Sequence, residues 1–321
     1  MDKKNVAVVG CGYWGKNLVR NFHELGVLAA ICDSTPKTLE EFRQKYSGLS
    51  AVSDFSALLN DPLITAIAIA APAVAHYELA KKALTAGKDV FVEKPLALTV
   101  DEAEELIAIA AKNNRIIMVG HILRYHPALI KLKELINQGD LGKIQYIYSN
   151  RLNIGKLRTE ENILWSFAPH DISAILWLVG EEPVKVFASG GDYLNRGIYD
   201  TTLTALEFHN GVKGHIFVSW LHPFKEQKLV VVGSKNMAVF DDMTKEKLFM
   251  YPHTIEWHDG KVPVARKADC QAVAVDSLEP LKEELRHFVD CVNSRKNPHT
   301  DGAEGLMVLR ILEDLEASLR P

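Results

Sequence analysis

Val6-Ala7-Val8-Val9-Gly10-Cys11-Gly12-Tyr13-Trp14-Gly15 begins the stretch that decides the fold, which continues through a helix-forming run to Glu24 and an apolar run from Val27 to Asp33. Four apolar residues make a buried strand, and a helix opens inside the Gly10-x-Gly12-x-x-Gly15 motif that follows. The glycines serve a tight turn, close backbone approach to a pyrophosphate, and close helix–strand contact. Free N–H groups at the helix start, with the dipole behind them, attract phosphates. Asp33 closes the second strand, where it can accept bonds from both hydroxyls of a ribose. The motif alone is a weak signal. With strand, helix, second strand and terminal acid all in order, it predicts a dinucleotide site. Asp33 repels a 2′-phosphate, and Ser34-Thr35-Pro36 offers no arginine to hold one, so NAD is favoured over NADP; Lys37 nearby is the counter-signal.

A chain of 321 residues exceeds one typical single-core domain, which predicts two. Hydrophobic content of 47% and charged content of 24% place it among ordinary globular proteins, and a net charge of −4 gives no footprint for nucleic acid. Met1-Asp2-Lys3-Lys4 leads directly into the first strand, so no signal peptide is expected. The longest apolar run, near Leu63 to Ala75, is broken by Thr65 and Pro72 and is too short for a membrane span. Cys11, Cys32, Cys270 and Cys291 lack metal spacing, and two of them lie in the proposed cofactor unit. Reduced thiols in a cytoplasmic protein are therefore expected.

Further along, strand and helix alternate. Thr35-Pro36 starts a helix to about Tyr46, and Ser53 is expected to cap a short helix through Leu59. Ala66 to Ala71 reads as a buried strand, His76 to Ala86 as a helix stopped by Gly87, and Asp89 to Glu93 as a strand. Thr99 and Glu102 form a capping box for a helix through about Lys112, before a strand at Arg115 to Gly120. Residues 1–121 thus read as an open parallel sheet covered on both faces, a Rossmann domain. Residues 122–321 become strand-rich after a helix at about Pro127 to Asn137. Strands are expected at Ile144 to Arg151, Val184 to Gly190, Thr202 to Phe208, Lys213 to Trp220, Lys228 to Val232 and Met237 to Asp241, with one helix, Asp171 to Leu178, among them. This predicts an α+β domain with a large, mostly antiparallel sheet. Amphipathic helices at Glu279 to Asn293 and Ala303 to Leu319 are able to return to the first domain.

Glu93-Lys94-Pro95 follows a strand of the parallel sheet, and ligands bind such sheets beyond the C-terminal strand ends. Lys94 can reach the nicotinamide end of a cofactor there. A plain surface lysine at a strand end fits the spacing equally well. At this point the chain resembles the glucose–fructose oxidoreductase and inositol dehydrogenase-like enzymes, the Gfo/Idh/MocA family. The resemblance rests on Gly10 to Gly15, Asp33, Ala71-Pro72 with His76, Ala86 through Pro95, and Gly120 with Arg124 and Pro127. It implies NAD(P)-dependent redox chemistry at a sugar or polyol carbon, and a second-domain sheet that often forms the oligomer contact, hence a homo-oligomer. On that pattern Gly10, Gly12, Tyr13, Trp14 and Gly15 hold the pyrophosphate and Asp33 the adenosine ribose, with Ser34 also in the cofactor site. Ala71, Pro72, His76, Glu93, Lys94 and Arg124 belong to the rest of the cofactor site.

The family's second signature is a histidine on a helix of the C-terminal domain, matched here by His170 in Trp165-Ser166-Phe167-Ala168-Pro169-His170-Asp171, with Trp177 and Gly180 in register. Oxidising a secondary alcohol needs a base for the hydroxyl proton as hydride leaves, and imidazole suits that near neutral pH. Without the resemblance, a residue packed at a helix start explains His170 better. Many relatives carry aspartate four residues before the histidine, where this chain has Ser166. That leaves the base open between His170 and Lys94. Asp171 is adjacent, although a first-turn acid at a helix start explains it as well. Ile122 replaces the family's asparagine before Arg124, and His121 is either a substitute contact or a half-buried strand-end residue.

The polar run Arg151 to Asn162 precedes that helix, and Lys156 and Arg158 can hold a diphosphate, although composition alone describes a solvated loop. Arg151 through Asp171 resembles the branch that oxidises the 3-hydroxyl of UDP-N-acetylglucosamine-type sugars, whose 3-keto product goes to an aminotransferase. Arg124, Lys156, Arg158, Asn162, Lys94 and His170 would then contact the substrate. The rivals are a dehydrogenase of a UDP-uronic acid, free sugar or polyol, and an NAD-binding redox sensor without turnover. His121, His126, His170 and Asp171 have no established metal-ligand spacing, and hydride transfer needs no metal, so none is expected.

Overall fold

A computed structural model describes residues 4–155, 157–159 and 161–319. The chain runs β1 (Val6–Val9), α1 (Gly15–Glu24), β2 (Leu28–Cys32), α2 (Pro36–Lys45), β3 (Ser50–Val52), α3 (Phe55–Asn60), β4 (Ala66–Ile69), α4 (His76–Thr85), β5 (Asp89–Glu93), α5 (Val100–Lys112) and β6 (Ile117–Gly120). Then follow α6 (Pro127–Gln138), β7 (Ile144–Leu152), α7 (Ile163–Val179), β8 (Pro183–Gly191), β9 (Thr201–Phe208), β10 (Lys213–Ser219), β11 (Glu226–Gly233), β12 (Met237–Asp241) and β13 (Leu248–Tyr251). The chain ends with β14 (Thr254–His258), β15 (Val262–Arg266), β16 (Gln271–Ala272), α8 (Pro280–Ser294) and α9 (Gly302–Leu319). It divides into two compact units, residues 1–122 with 279–310 and residues 123–278 with 311–321.

In the first unit six parallel strands lie in the order β3-β2-β1-β4-β5-β6. β1, β4 and β5 are buried along their whole length, apolar throughout in β1 and β4 and flanked by the buried Asp89 and Glu93 in β5. Strand order reverses between β1 and β4, and ligands of such sheets bind at that point. Register levels the strand ends: Val9 pairs with Cys32 and with Ile69, and Ile69 pairs with Val92. Gly10, Asp33, Ala70 and Glu93 therefore leave the sheet along one edge.

The C-terminal segment completes this unit. Phe288 of α8 meets Phe22 and Phe91 edge-on at 6.4 and 5.8 Å. Arg295 grips the buried Asp89 carboxylate with two bonds of 2.7 Å. Thr300 bonds both ways with the Val119 backbone, at 2.8 Å each. α9 begins in the first unit and ends in the second.

The second unit is built on eight strands in the order β16-β13-β12-β11-β7-β10-β9-β8, antiparallel except for the parallel β7–β10 pair. Ile147, Ile216, Leu229, Val231 and Ala238 are buried, while their strand neighbours are half-exposed or exposed; Val218 and Phe240 continue the buried face. That period-two alternation marks a sheet covered on one face.

The element types match the sequence reading, with corrections at ends and short strands. Asp54, not Ser53, caps α3, accepting from the Ser56 N–H at 2.9 Å. The short β3 and the strands β13 to β16 carry too little periodicity to be seen in sequence. The largest correction is α7, which starts at Ile163 and not Asp171. Asn162 caps it, accepting from the Trp165 N–H at 3.2 Å, and Pro169 lies inside it. Pro169 removes the N–H that would bond the Trp165 carbonyl, yet burial of Ile163, Leu164, Ala168 and Ile172 carries the helix through. Asp171 is therefore mid-helix, and the first-turn explanation of its charge does not apply.

Candidate active site

The glycine loop of the first unit has the shape its motif demands. Gly10 has φ +84°, and a Cβ there would meet the Ala71 backbone nitrogen at 2.6 Å. A Cβ on Gly15 would lie 1.8 Å from the Gly10 carbonyl oxygen, so α1 can start this close to β1 only with glycine. A Cβ on Gly12 would meet nothing within 4 Å, which leaves its backbone open to a ligand. Asp33 is tied to the loop: its carboxylate accepts the Cys11 N–H at 2.7 Å and the Thr35 N–H at 2.8 Å. Both oxygens keep lone pairs for a ribose. Between α1 and α2 the loop borders a groove of about 560 Å³, lined in part by Gly12, Tyr13, Lys16, Thr38 and Phe42. Burial, reinforced by Asp33, pushes the Cys11 thiol up to about 12, so it is inert at neutral pH.

The turn after β5 is joined to the same loop. Trp14 donates its indole N–H to Glu93 at 2.5 Å. Burial raises the Glu93 carboxyl to about 7, against the opposing pull of Trp14 and the Lys94 charge. Lys94 is half-buried beside it, and the Lys94–Pro95 peptide is cis. His76 is buried at the start of α4, with Nδ1 2.7 Å from the Pro95 carbonyl oxygen and Nε2 2.8 Å from that of Ala71. Pro72 and Ser34 are exposed at the same strand-end edge. His121 follows β6 and is buried, its Nδ1 2.6 Å from a Glu304 carboxylate oxygen of the same unit.

In the second unit His170 is half-buried midway along α7. Its neighbour Asp171 is 2% exposed and takes Arg151 Nε at 2.6 Å and Nη2 at 3.3 Å, with Ser149 Oγ as a third donor. A two-pronged pair on a buried carboxylate fixes the α7 backbone against β7. The Arg124 guanidinium stacks 4.8 Å from the Trp177 ring centroid. Asn162 caps α7 and donates to Glu316 at 3.3 Å. Arg158 is paired with Glu161. Lys156 lies outside the described residues.

Residues 4–121 match the family described as "oxidoreductase family, NAD-binding Rossmann fold", and residues 129–239 match the "GFO/IDH/MocA C-terminal domain". The chain belongs to the Gfo/Idh/MocA oxidoreductase family. It is similar to myo-inositol 2-dehydrogenase of Thermotoga maritima, 27% identical over 318 residues, covering 95% of this chain and 92% of the relative. It is also similar to UDP-N-acetylglucosamine 3-dehydrogenase of Acidithiobacillus ferrooxidans, 24% identical over 310 residues, covering 96% and 95%. A solved structure of that second protein shares the fold with a TM-score of 0.85 at 24% identity, covering 99% of each chain.

NAD is the cofactor of the Gfo/Idh/MocA first domain, and the residues here fit it. The open backbone at Gly12 faces no side chain that would exclude a pyrophosphate, and Asp33 is oriented by two backbone N–H groups. Two features of this family member are hard to read from sequence. Arg151 reads there both as a strand end and as the first residue of a polar run, with no partner assigned to it. Glu284 is 1% exposed on α8, with neither carboxyl oxygen hydrogen-bonded to any described residue. Its signal is position: it shares the buried stripe of Leu281, Leu285 and Phe288. Burial, then the charges of Glu93 and Glu304, raise its carboxyl well above the ordinary range.

Proposed function

We propose that this protein is an NAD-dependent dehydrogenase of a secondary alcohol on a sugar, with the 3-hydroxyl of a UDP-N-acetylglucosamine-type sugar as the leading substrate. The observation that carries the reading is the strand-end edge of the first unit. There the glycine loop, Asp33 and the Glu93-Lys94 turn are level, and Trp14 bonds one side to the other. Family membership and the two dehydrogenase relatives support the alcohol chemistry.

Bound NAD would supply the hydride acceptor. The chain's own residues would hold the sugar and take the hydroxyl proton, leaving a ketone. Lys94, half-buried at the strand end, and His170, whose helix Asp171 and Arg151 brace, are the proton acceptors proposed. Arg124, Lys156, Arg158 and Asn162 are the proposed substrate contacts. A free polyol is a real second reading. Asn162 is engaged by the helix cap and Glu316, and Arg158 by Glu161, which weakens a diphosphate site, and one relative acts on myo-inositol.

We also read the protein as a cytoplasmic homo-oligomer. The uncovered face of the eight-stranded sheet carries a lateral row of Phe187, Ala205, His215, Tyr148, Val230, Val239 and Phe249, each paired with the next. An apolar row of that breadth favours self-association. Among the described residues no helix is long and apolar enough to cross a membrane.

The test is the purified full chain with NAD and either UDP-N-acetylglucosamine or myo-inositol, read by NADH absorbance and by mass spectrometry of the product. An aminotransferase is added in parallel to draw off a 3-keto sugar. No NADH and no ketone with the nucleotide sugar, even when coupled, refutes the leading substrate. Turnover of the polyol alone establishes the second reading.

A further inference from the structure

His76 is 1% exposed, and each of its ring nitrogens faces a backbone carbonyl oxygen, that of Pro95 at 2.7 Å and that of Ala71 at 2.8 Å. A carbonyl has no proton to give, and a neutral imidazole has only one N–H. The neutral ring can therefore bond one of these oxygens, while its bare nitrogen turns a lone pair on the other. Two hydrogen bonds require the imidazolium. The two carbonyls belong to different turns. Ala71 lies after β4, beside the Gly10 backbone, and Pro95 lies after β5, next to Lys94.

We propose that His76 is a positioning residue for the cofactor site, a clamp whose imidazolium form pins the turn after β4 to the turn after β5 and whose neutral form releases one of them. The proposal rests on the reading that NAD lies across this strand-end edge. It gives the ring a role without contact: His76 is buried behind the turns and acts on a ligand through them.

The charges around the ring explain why the clamp can open. Lys94, from the β5 turn, repels a second positive charge, and the N-terminal end of α4 does the same. On α4 the neighbouring Tyr77 hydroxyl bonds to Glu105 of α5, which also pairs with Lys81. Glu93 receives the Trp14 indole N–H. Burial and Lys94 lower the proton affinity of the ring, the two carbonyls raise it, and the balance falls below the ordinary histidine value of 6.5. The sign follows: the doubly bonded form is the acid form, and it is lost as pH rises.

The experiment measures NADH affinity of the full chain between about pH 5 and pH 8, together with nitrogen NMR of histidine-labelled protein. Affinity of the wild-type chain should fall as pH rises, by up to about tenfold, the worth of one charge-assisted hydrogen bond. His76→Gln retains one amide donor and cannot titrate, so its affinity should stay near the wild-type alkaline value with that slope gone. The His76 signal, assigned by its loss in the variant, should show both nitrogens protonated at the acid end and one at the alkaline end. An unchanged slope in His76→Gln, or a ring with one N–H throughout, overturns the clamp. If His76→Gln does not fold, His76→Asn, which also carries one amide donor and cannot titrate, supplies both the assignment and the affinity slope. Absence of NADH binding at every pH would instead bring down the cofactor reading, and the ring spectrum would still decide the clamp on its own.

Discussion

Replacing Glu284 by glutamine should stabilise the protein, and only above the ordinary carboxyl range. The wild-type carboxyl is fully buried on α8, has no hydrogen-bond partner among the described residues, and faces the charges of Glu93 and Glu304. Its folded-state proton affinity is raised, whereas in the unfolded chain it titrates near 4.5. Above that value the folded state holds a proton that the unfolded state has lost. Folding stability therefore falls as pH rises, by about 1.4 kcal/mol per pH unit from this group alone. The loss accumulates at that rate from the unfolded value upward, until the pH reaches the raised folded-state value. Glutamine has nearly the same shape, leaves a similarly unpartnered polar group, and cannot ionise. Thermal melts of the full chain should thus coincide for the two proteins near about pH 4.5 and diverge toward neutrality. At about pH 7 the variant should melt several degrees higher, given roughly 2–4 °C per kcal/mol for a unit of this size. Equal melting temperatures at neutral pH, or a less stable variant there, would show that Glu284 ionises with a partner, and the reasoning would fail.

Other perturbations separate the remaining claims. The Glu93 carboxyl, raised to about 7, should quench or release Trp14 fluorescence with a midpoint in that region, and the transition should vanish in Trp14→Phe. Asp33→Ser removes an acceptor shared by the Cys11 and Thr35 N–H groups, and NADH affinity by fluorescence titration should drop about 10- to 100-fold while NADPH is less disfavoured. Arg151→Met leaves the buried Asp171 charge without its main partner, so urea unfolding should report a loss of about 3–5 kcal/mol. Arg295→Met should cost less, about 1–3 kcal/mol, because the arginine is partly exposed and Asp89 keeps the Ile116 N–H.

Legibility tracks how local each feature is in the chain. The βαβ motif with Asp33 is contiguous, and each glycine has a steric reason that holds wherever the motif occurs, so the cofactor half is readable. Capping residues and apolar periodicity locate most helices for the same reason. The start of α7 misleads because Pro169 is a local stop signal, overruled by burial that depends on a distant sheet. Asp171 misleads with it, and its partner Arg151 sits on a strand that only the fold brings alongside.

By itself, then, the amino-acid order determined the two architectures, the dinucleotide loop and the family. Tertiary structure alone decided which charged groups are paired. Asp89 meets Arg295, Trp14 meets Glu93, and His76 meets two carbonyls from separate turns. A backbone hydrogen-bond pattern is encoded by near neighbours, whereas the proton state of a buried side chain depends on every group that has replaced water around it.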